Sequence, residues 1–256
     1  MIDSRALIDP SAKIASNVEI GPWTIIGPDV EIGTGTVIGP HVVVKGPSKI
    51  GKNNRIFQFS SVGEDCQDKK YAGEPTTLTI GDNNVIREGV TIHRGTVQDA
   101  GTTVIGSDNL FMAYAHVAHD CVVGNNVIMA NNTAIAGHVH VGDWAILGGF
   151  TAVHQFCKIG AHVMCGTSTV VLKDIPAYIM ANGNTAKPHG INVEGLKRRG
   201  FNADTLACLR RAYKTIYRKK LTTAQAVSEL KEMLDECPEI LPLINSIESS
   251  NRGIIR

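Results

Sequence analysis

The chain has 256 residues, enough for one large domain with or without a smaller appendage. Its 25 Lys and Arg balance 24 Asp and Glu, which argues against a globally basic nucleic-acid binder. Hydrophobic residues reach 43%, which excludes a disordered chain; aromatics at only 5% beside 26 glycines suggest a thin, repetitive aliphatic core. The N-terminus, MIDSRALIDP, lacks the basic and apolar regions of a secretory signal. No run approaches the ~18 apolar residues of a membrane span. Six cysteines without a CxxC pair (Cys66, Cys121, Cys157, Cys165, Cys208 and Cys237) read as reduced thiols, so a cytoplasmic protein is expected.

In chain order, the first feature is a repeat. Ile-Gly recurs at Ile20, Ile26, Ile32 and Ile38, a spacing of six. The register extends from Ile8 to Val62, resumes from Ile80 to Ile92, and after a one-residue slip runs from Ile105 to Val171. Of its 25 positions, 22 are Ile, Val or Leu, and the others are Phe111, Met129 and Cys165, so chance is excluded as its origin. A period of six fits neither an amphipathic helix nor a simple strand. It fits a β-solenoid in which each flat face takes one hexapeptide with its aliphatic residue inward. Three faces make a coil of 18 residues, so 25 hexads predict about eight coils, stacked ~4.8 Å apart.

Two polar segments, 63–79 and 93–104, break the register and read as loops leaving the prism. Beyond Pro176, the segment ANGNTAKPHG ends the repeat. The expected division is a solenoid over 1–186 and a helical part over 187–256. Asn202 is placed to cap one helix, Thr222 and Gln225 form a capping box for a second, and Pro238 opens a third. Residues 187–220 hold ten Lys and Arg against two acids, a local basic patch.

The register also places side chains. Positions 18 apart share a face, so Val117, Ile135 and Val153 stack on successive coils. His119, Gly137 and Gln155 share one offset beside them, with His116, His138 and His154 adjacent. Four histidines in one column indicate a metal or an acid–base site. A zinc site of His116, His119 and His138, as in the γ-class carbonic anhydrases, is the rival reading; it lacks the third ligand at short spacing that those enzymes use. A purely structural solenoid would instead show a regular outward array and no invading loops.

The segments FQFSSVGEDCQDKKYAGEPT, REGVTIHRGTVQ, AHVAHDCVVGNN, NNTAIAGHVHVGDWAILGG, VHQFCKIGAHVM and INVEGLKRRGF together resemble the acyl-carrier-protein-dependent UDP-N-acetylglucosamine O-acyltransferases of lipid A biosynthesis. The resemblance covers essentially the whole chain. It implies a left-handed parallel β-helix followed by a small α-helical domain, and a homotrimer with sites between subunits. It also implies transfer of an (R)-3-hydroxyacyl chain from acyl carrier protein to the 3-hydroxyl of UDP-N-acetylglucosamine, without metal or organic cofactor. By this resemblance His119 is the general base and Gly137 gives the oxyanion its backbone N–H. Either Asp120 or a backbone carbonyl holds the His119 tautomer. Asp68, Lys70, His116, His138, His154 and Gln155 bind the sugar and its acyl group. Asn192, Glu194, Arg198 and Arg199 bind the nucleotide. Thr167, where the long-chain forms carry Gly, is the acyl ruler, so a chain shorter than 14 carbons is expected, 10 or 12. The basic block 187–220 is expected to dock the acidic carrier, with Arg210, Arg211, Lys214, Arg218, Lys219 and Lys220 as the candidate residues. The residues do not distinguish the 3-hydroxyl sugar from its 3-amino analogue. The related N-acyltransferases carry a domain ahead of the repeat, whereas here the register starts at residue 8. Coenzyme-A-dependent acetyltransferases have shorter repeats.

Overall fold

The computed structural model describes residues 1–256. Its strands, mostly of two residues, lie in three sheets of nine, eight and ten strands, and each strand up to Ala152–Val153 pairs with the one three places further along the chain. Pairing is parallel in every sheet until the last two strands, Ile179–Asn182 and Lys187–Ile191, which run antiparallel. We call the faces first, second and third, carrying Ile8, Ile14 and Ile20 respectively. Partners are 18 residues apart, as in Ile8 with Ile26 and Val117 with Ile135. The loops lengthen two coils: Val62 pairs with Ile92, and Ile92 with Val117. Strands Ser61–Glu64 and Thr77–Ile80 confine the first loop to 65–76, and strands Thr91–His93 and Thr102–Ile105 confine the second to 94–101. Both are narrower than the break in hydrophobic register, because polar strand residues continue the hydrogen-bond ladder beyond it.

Every inward position from Ile20 to Val171 is buried. Removing such a side chain from water contributes roughly 1.5–3 kcal/mol, and the flat coils let each aliphatic group stack on its equivalent above and below. At certain turn positions the coils approach so closely that a side chain is excluded. A Cβ on Gly33 would lie 2.6 Å from the Gly51 carbonyl carbon and oxygen. Buried polar side chains satisfy the turn backbone. Asn54 accepts from the Asn84 N–H, Asn84 from that of Asn109, and Asn109 from that of Val127. All six cysteines are buried, and desolvation pushes the Cys121 and Cys165 thiols up to about 12, leaving them inert at neutral pH.

The solenoid extends past Pro176, since Ile179–Asn182 pairs with Met164–Cys165. Four helices follow: α1 (Val193–Arg198), α2 (Ala203–Tyr217), α3 (Thr223–Glu232) and α4 (Leu241–Glu248). The expected caps form: Asn202 accepts from the Thr205 N–H, and Thr222 and Gln225 make the reciprocal box. Pro238 opens a single 3-10 turn, Pro238–Ile240, ahead of α4. The six-residue helix α1 is too short to carry a hydrophobic period of its own. The C-terminal segment returns to the prism, where Asp174 accepts from the Ser250 hydroxyl at 2.6 Å and the Lys158 N–H at 2.8 Å.

Candidate active site

The turn between the first and second faces carries the histidine column. His116 ends its strand with Val117, and the chain then bends through Asp120, whose φ is +56°. Asp tolerates this left-handed conformation better than most residues. The bend brings the Asp120 carboxylate onto its neighbour's ring, with His119 Nδ1 2.8 Å from Asp120 Oδ2. Asp120 is almost fully buried and accepts from the Thr96 N–H at 2.9 and 3.0 Å and from the Thr96 hydroxyl at 2.6 Å. The carboxylate is an acceptor in these bonds, so His119 Nδ1 is the nitrogen that donates to it, and Nε2 is left facing Gly137. Of the two orienting groups left open by the sequence, the structure has the carboxylate.

Gly137 lies one coil above. A Cβ there would sit 2.5 Å from His119 Nε2 and 2.4 Å from Cε1, so the imidazole occupies the space a side chain would need. The Gly137 N–H makes no hydrogen bond within the chain, whereas the His138 N–H donates to the His119 carbonyl. The His119 imidazole and an unused N–H thus share one open groove of about 500 Å³. The groove is also lined by Gln67, Asp68, His93, His116 and Gln155. Along the first face its outward column runs His116, Ala134, Ala152 and Val170, small apolar residues above a polar end.

His93 was missed by sequence reasoning because it lies where the register breaks. It is buried edge-on against His116, with ring centroids 5.1 Å apart. His116 Nδ1 is 2.7 Å from the Thr91 hydroxyl. Burial lowers the pKa of both rings, that of His116 to about 4, with the neighbouring imidazoles adding to the effect. Both are neutral hydrogen-bonding walls at pH 7. Arg94, also missed, is buried and bonds the Gly63 carbonyl, Asp65 and Tyr71, tying the first loop to the second. Thr96 and Asp99 lie in the second loop, where no periodicity could mark them.

Other expected residues sit differently. Lys70 is exposed on the first loop and is outside the groove lining, and Asp68 accepts from the Lys70 N–H. His154 is exposed beside Gln155. His138 is mostly buried, stacks on Phe156 at 4.4 Å and bonds Asp99. Asn192 caps α1 through the Gly195 N–H and donates to the His162 carbonyl. Glu194 pairs with Lys197, and Arg198 is exposed. Arg199 lies over Trp144 at 5.2 Å and donates to its carbonyl. This group occupies the turn between the second and third faces, so one chain does not bring it to the histidine column. Thr167 is exposed at the turn between the third and first faces, and the six basic docking residues are exposed on and after α2.

The zinc trio of the rival reading does not converge, since His116 faces His93. His119, Asp120 and His138 do bring ligand atoms within 4.8 Å of one another. The Asp120 carboxylate is already taken up by His119 Nδ1 and Thr96, and His138 Nδ1 by Asp99, so hydrogen bonds occupy most of the donor set, a poor fit to a cation shell.

Comparison with known proteins identifies the architecture. The family model for bacterial transferase hexapeptides matches residues 11–46 and 102–137, and that for domain 2 of UDP-N-acetylglucosamine O-acyltransferase matches 174–255. The acyl-(acyl-carrier-protein)–UDP-N-acetylglucosamine O-acyltransferase of Stutzerimonas stutzeri is 61% identical, over 100% of this chain and 99% of its own. The chain belongs to this O-acyltransferase family. It is an acyltransferase with the left-handed β-helix of that family. The solved LpxA of Acinetobacter baumannii is 56% identical with a TM-score of 0.98, covering 100% of this chain and 99% of that one. The UDP-N-acetylglucosamine O-acyltransferase of Moraxella catarrhalis matches at 48% and 0.98 over the same shares.

His116 gives the O-acyltransferase a specific acid sensitivity. Its ring is near 6.5 when unfolded and about 4 when folded, so between these values the unfolded chain binds the extra proton. The His116 contribution to stability is lost as pH drops from about 6.5 towards 4 and changes no further below that. His116→Gln should flatten this part of a melting-temperature profile; an unchanged profile would assign the acid sensitivity elsewhere.

Proposed function

We propose that this O-acyltransferase moves an (R)-3-hydroxyacyl chain from acyl carrier protein to the 3-hydroxyl of UDP-N-acetylglucosamine, opening lipid A biosynthesis. The carrying observation is the Thr96–Asp120–His119 chain ending beside the unused Gly137 N–H. His119 Nε2 takes the sugar hydroxyl proton as the oxygen attacks the thioester carbonyl. Asp120 supports the imidazolium that forms. The Gly137 N–H receives the developing oxyanion, a contact worth about 3–4 kcal/mol in comparable sites. His119 then returns its proton to the departing thiolate. Gln67, Asp68, His93, His116 and Gln155 present polar groups to the sugar, with Lys70 and His154 at the rim. Asn192, Glu194, Arg198 and Arg199 are assigned to the nucleotide, Arg198 by pairing with diphosphate.

These nucleotide groups lie on a different corner from His119, which favours a homotrimer whose sites combine two chains. A second observation supports it. Trp23, Phe59, Tyr114 and Phe150 are exposed on alternate coils along the turn between the third and first faces, all at positive φ. Bulky rings in that conformation carry a backbone cost, and a line of exposed rings of this kind is suited to burial against a second copy.

His119→Ala should reduce kcat by about 10²–10⁴-fold while the protein keeps the mass of three 27.4 kDa chains in sedimentation. EDTA should leave the wild-type rate unchanged. Activity lost to EDTA and restored by zinc would overturn the base reading, and a monomeric wild type would overturn the trimer.

The basic surface of α2 is assigned to the acidic carrier. Reversing Arg210 and Lys214 together should raise KM for the carrier, the more so at low salt, and leave KM for UDP-N-acetylglucosamine alone. Equal rises for both substrates would count against this docking surface.

The acyl tail is assigned to the small-residue column from His116 through Ala134 and Ala152 to Val170, which climbs three coils, about 14 Å, towards Thr167. A threonine side chain closes that track earlier than glycine would. A chain of 10 or 12 carbons is the expected substrate, and each excluded methylene shifts selectivity by about fourfold at ~0.8 kcal/mol. Thr167→Gly should move the optimum to longer chains in a competition among hydroxyacyl carriers. A wild-type preference for 14 carbons, or an unmoved optimum in the variant, removes Thr167 as the ruler.

A further inference from the structure

The second loop makes two contacts with the site, and the proposed chemistry uses only one of them. Thr96 holds Asp120. Three residues later, Asp99 Oδ2 lies 2.7 Å from His138 Nδ1. The contacts are mechanically joined, because the Thr96 carbonyl accepts from both the Asp99 and Gly101 N–H groups. The 96–101 turn is therefore a compact bracket with one end on Asp120 and the other on His138.

The His138 ring is well constrained. It stacks on Phe156 at 4.4 Å with planes 13° apart, which fixes its tilt. It meets His119 edge-on at 5.0 Å with planes 88° apart. Its Nε2 is 3.9 Å from Asp120 Oδ2. Its side chain is 9% exposed and stands behind the His119–Asp120 pair, outside the groove wall. Stacking alone lets an imidazole turn within its own plane. The Asp99 carboxylate removes that freedom and requires a proton on Nδ1, since a carboxylate is an acceptor only.

We infer that Asp99 is a positioning residue for the base: it locks the orientation and tautomer of His138, and through the 96–101 bracket it keeps Thr96 on Asp120. His138 so locked is a wedge that, together with the adjacent Gly137, limits the swing of the His119 ring. Asp99 touches neither substrate nor the reacting atoms. This inference rests on the reading of His119 as base.

The test uses the full-length enzyme with Asp99→Ala, Asp99→Asn and Asp99→Glu. The Asp99 side chain is 48% exposed, so all three variants should fold with melting temperatures near wild type. Loss of a hydrogen bond to an ionised group should lower kcat about ten- to a hundredfold in Asp99→Ala, with KM for UDP-N-acetylglucosamine little changed. Asp99→Glu should recover most of the rate, and Asp99→Asn less. A second readout is independent of turnover: ¹⁵N spectra of the His138 imidazole should show a single tautomer protonated on Nδ1 in wild type and a mixture in Asp99→Ala. A wild-type kcat in Asp99→Ala, or an unchanged His138 spectrum, overturns the inference. A lowered melting temperature with matching losses in kcat and substrate affinity also overturns it, as packing alone. His119→Ala serves as the separate control. Full turnover there removes the base reading, while the His138 spectrum still reports whether Asp99 sets the tautomer.

Discussion

The inter-coil hydrogen-bond ladder is the constraint on which the rest of this molecule depends. Parallel pairing fixes the rise of each coil at ~4.8 Å, and the inward aliphatic columns fix its lateral position. Once Val117, Ile135 and Val153 are stacked, everything at a given offset from them is stacked as well. His119 under Gly137 follows from this arithmetic, as does the outward column His116, Ala134, Ala152 and Val170. A groove built this way is rigid, because displacing one wall residue means breaking the ladder on both sides of its coil. Preorganised donors and acceptors need such a support.

The prism alone would not make a catalytic site. A histidine exposed on a turn can rotate freely and exchange its tautomer with solvent. The two loops leave the solenoid close to the coils that carry the histidines, and each supplies what the repeat lacks. The second loop gives Thr96, which holds the Asp120 carboxylate, and Asp99, which holds His138. The first loop gives Gln67 and Asp68 to the groove, and buried Arg94 pins it to its neighbour through Asp65 and Tyr71. Scaffold and loops thus divide the work: the coils set distances, and the loops set orientation and protonation.

The corners of the prism have different chemistry, and this asymmetry connects the site to assembly. One corner bears the histidine column, the next bears Trp144, His162 and Arg199 against the helical part, and the third bears the line of exposed rings. Stacked coils allow any side chain at a corner, provided it accepts a left-handed backbone. Trp23, Phe59, Tyr114 and Phe150 are poorly suited to that backbone on conformational grounds. Their presence along one line is one of the observations behind the proposed trimer.

The solenoid, its inward residues and the histidine column were legible in the sequence by itself, because a strict period of six converts position in the chain into position in space. The caps of α2 and α3 were legible for a similar reason: Asn202, Thr222 and Gln225 act within three residues of themselves. Family motifs extended this reading to the groove residues and the helical part. Neither period nor motif could show that Asp120, rather than a backbone carbonyl, holds His119, or that His138 turns away from the groove wall to Asp99. The involvement of His93, Arg94 and Thr96 was equally hidden. These residues act across 23 to 39 positions of chain, through loops whose path obeys no repeat. Their partners are set by where the excursions fold back, and only the tertiary structure decides that.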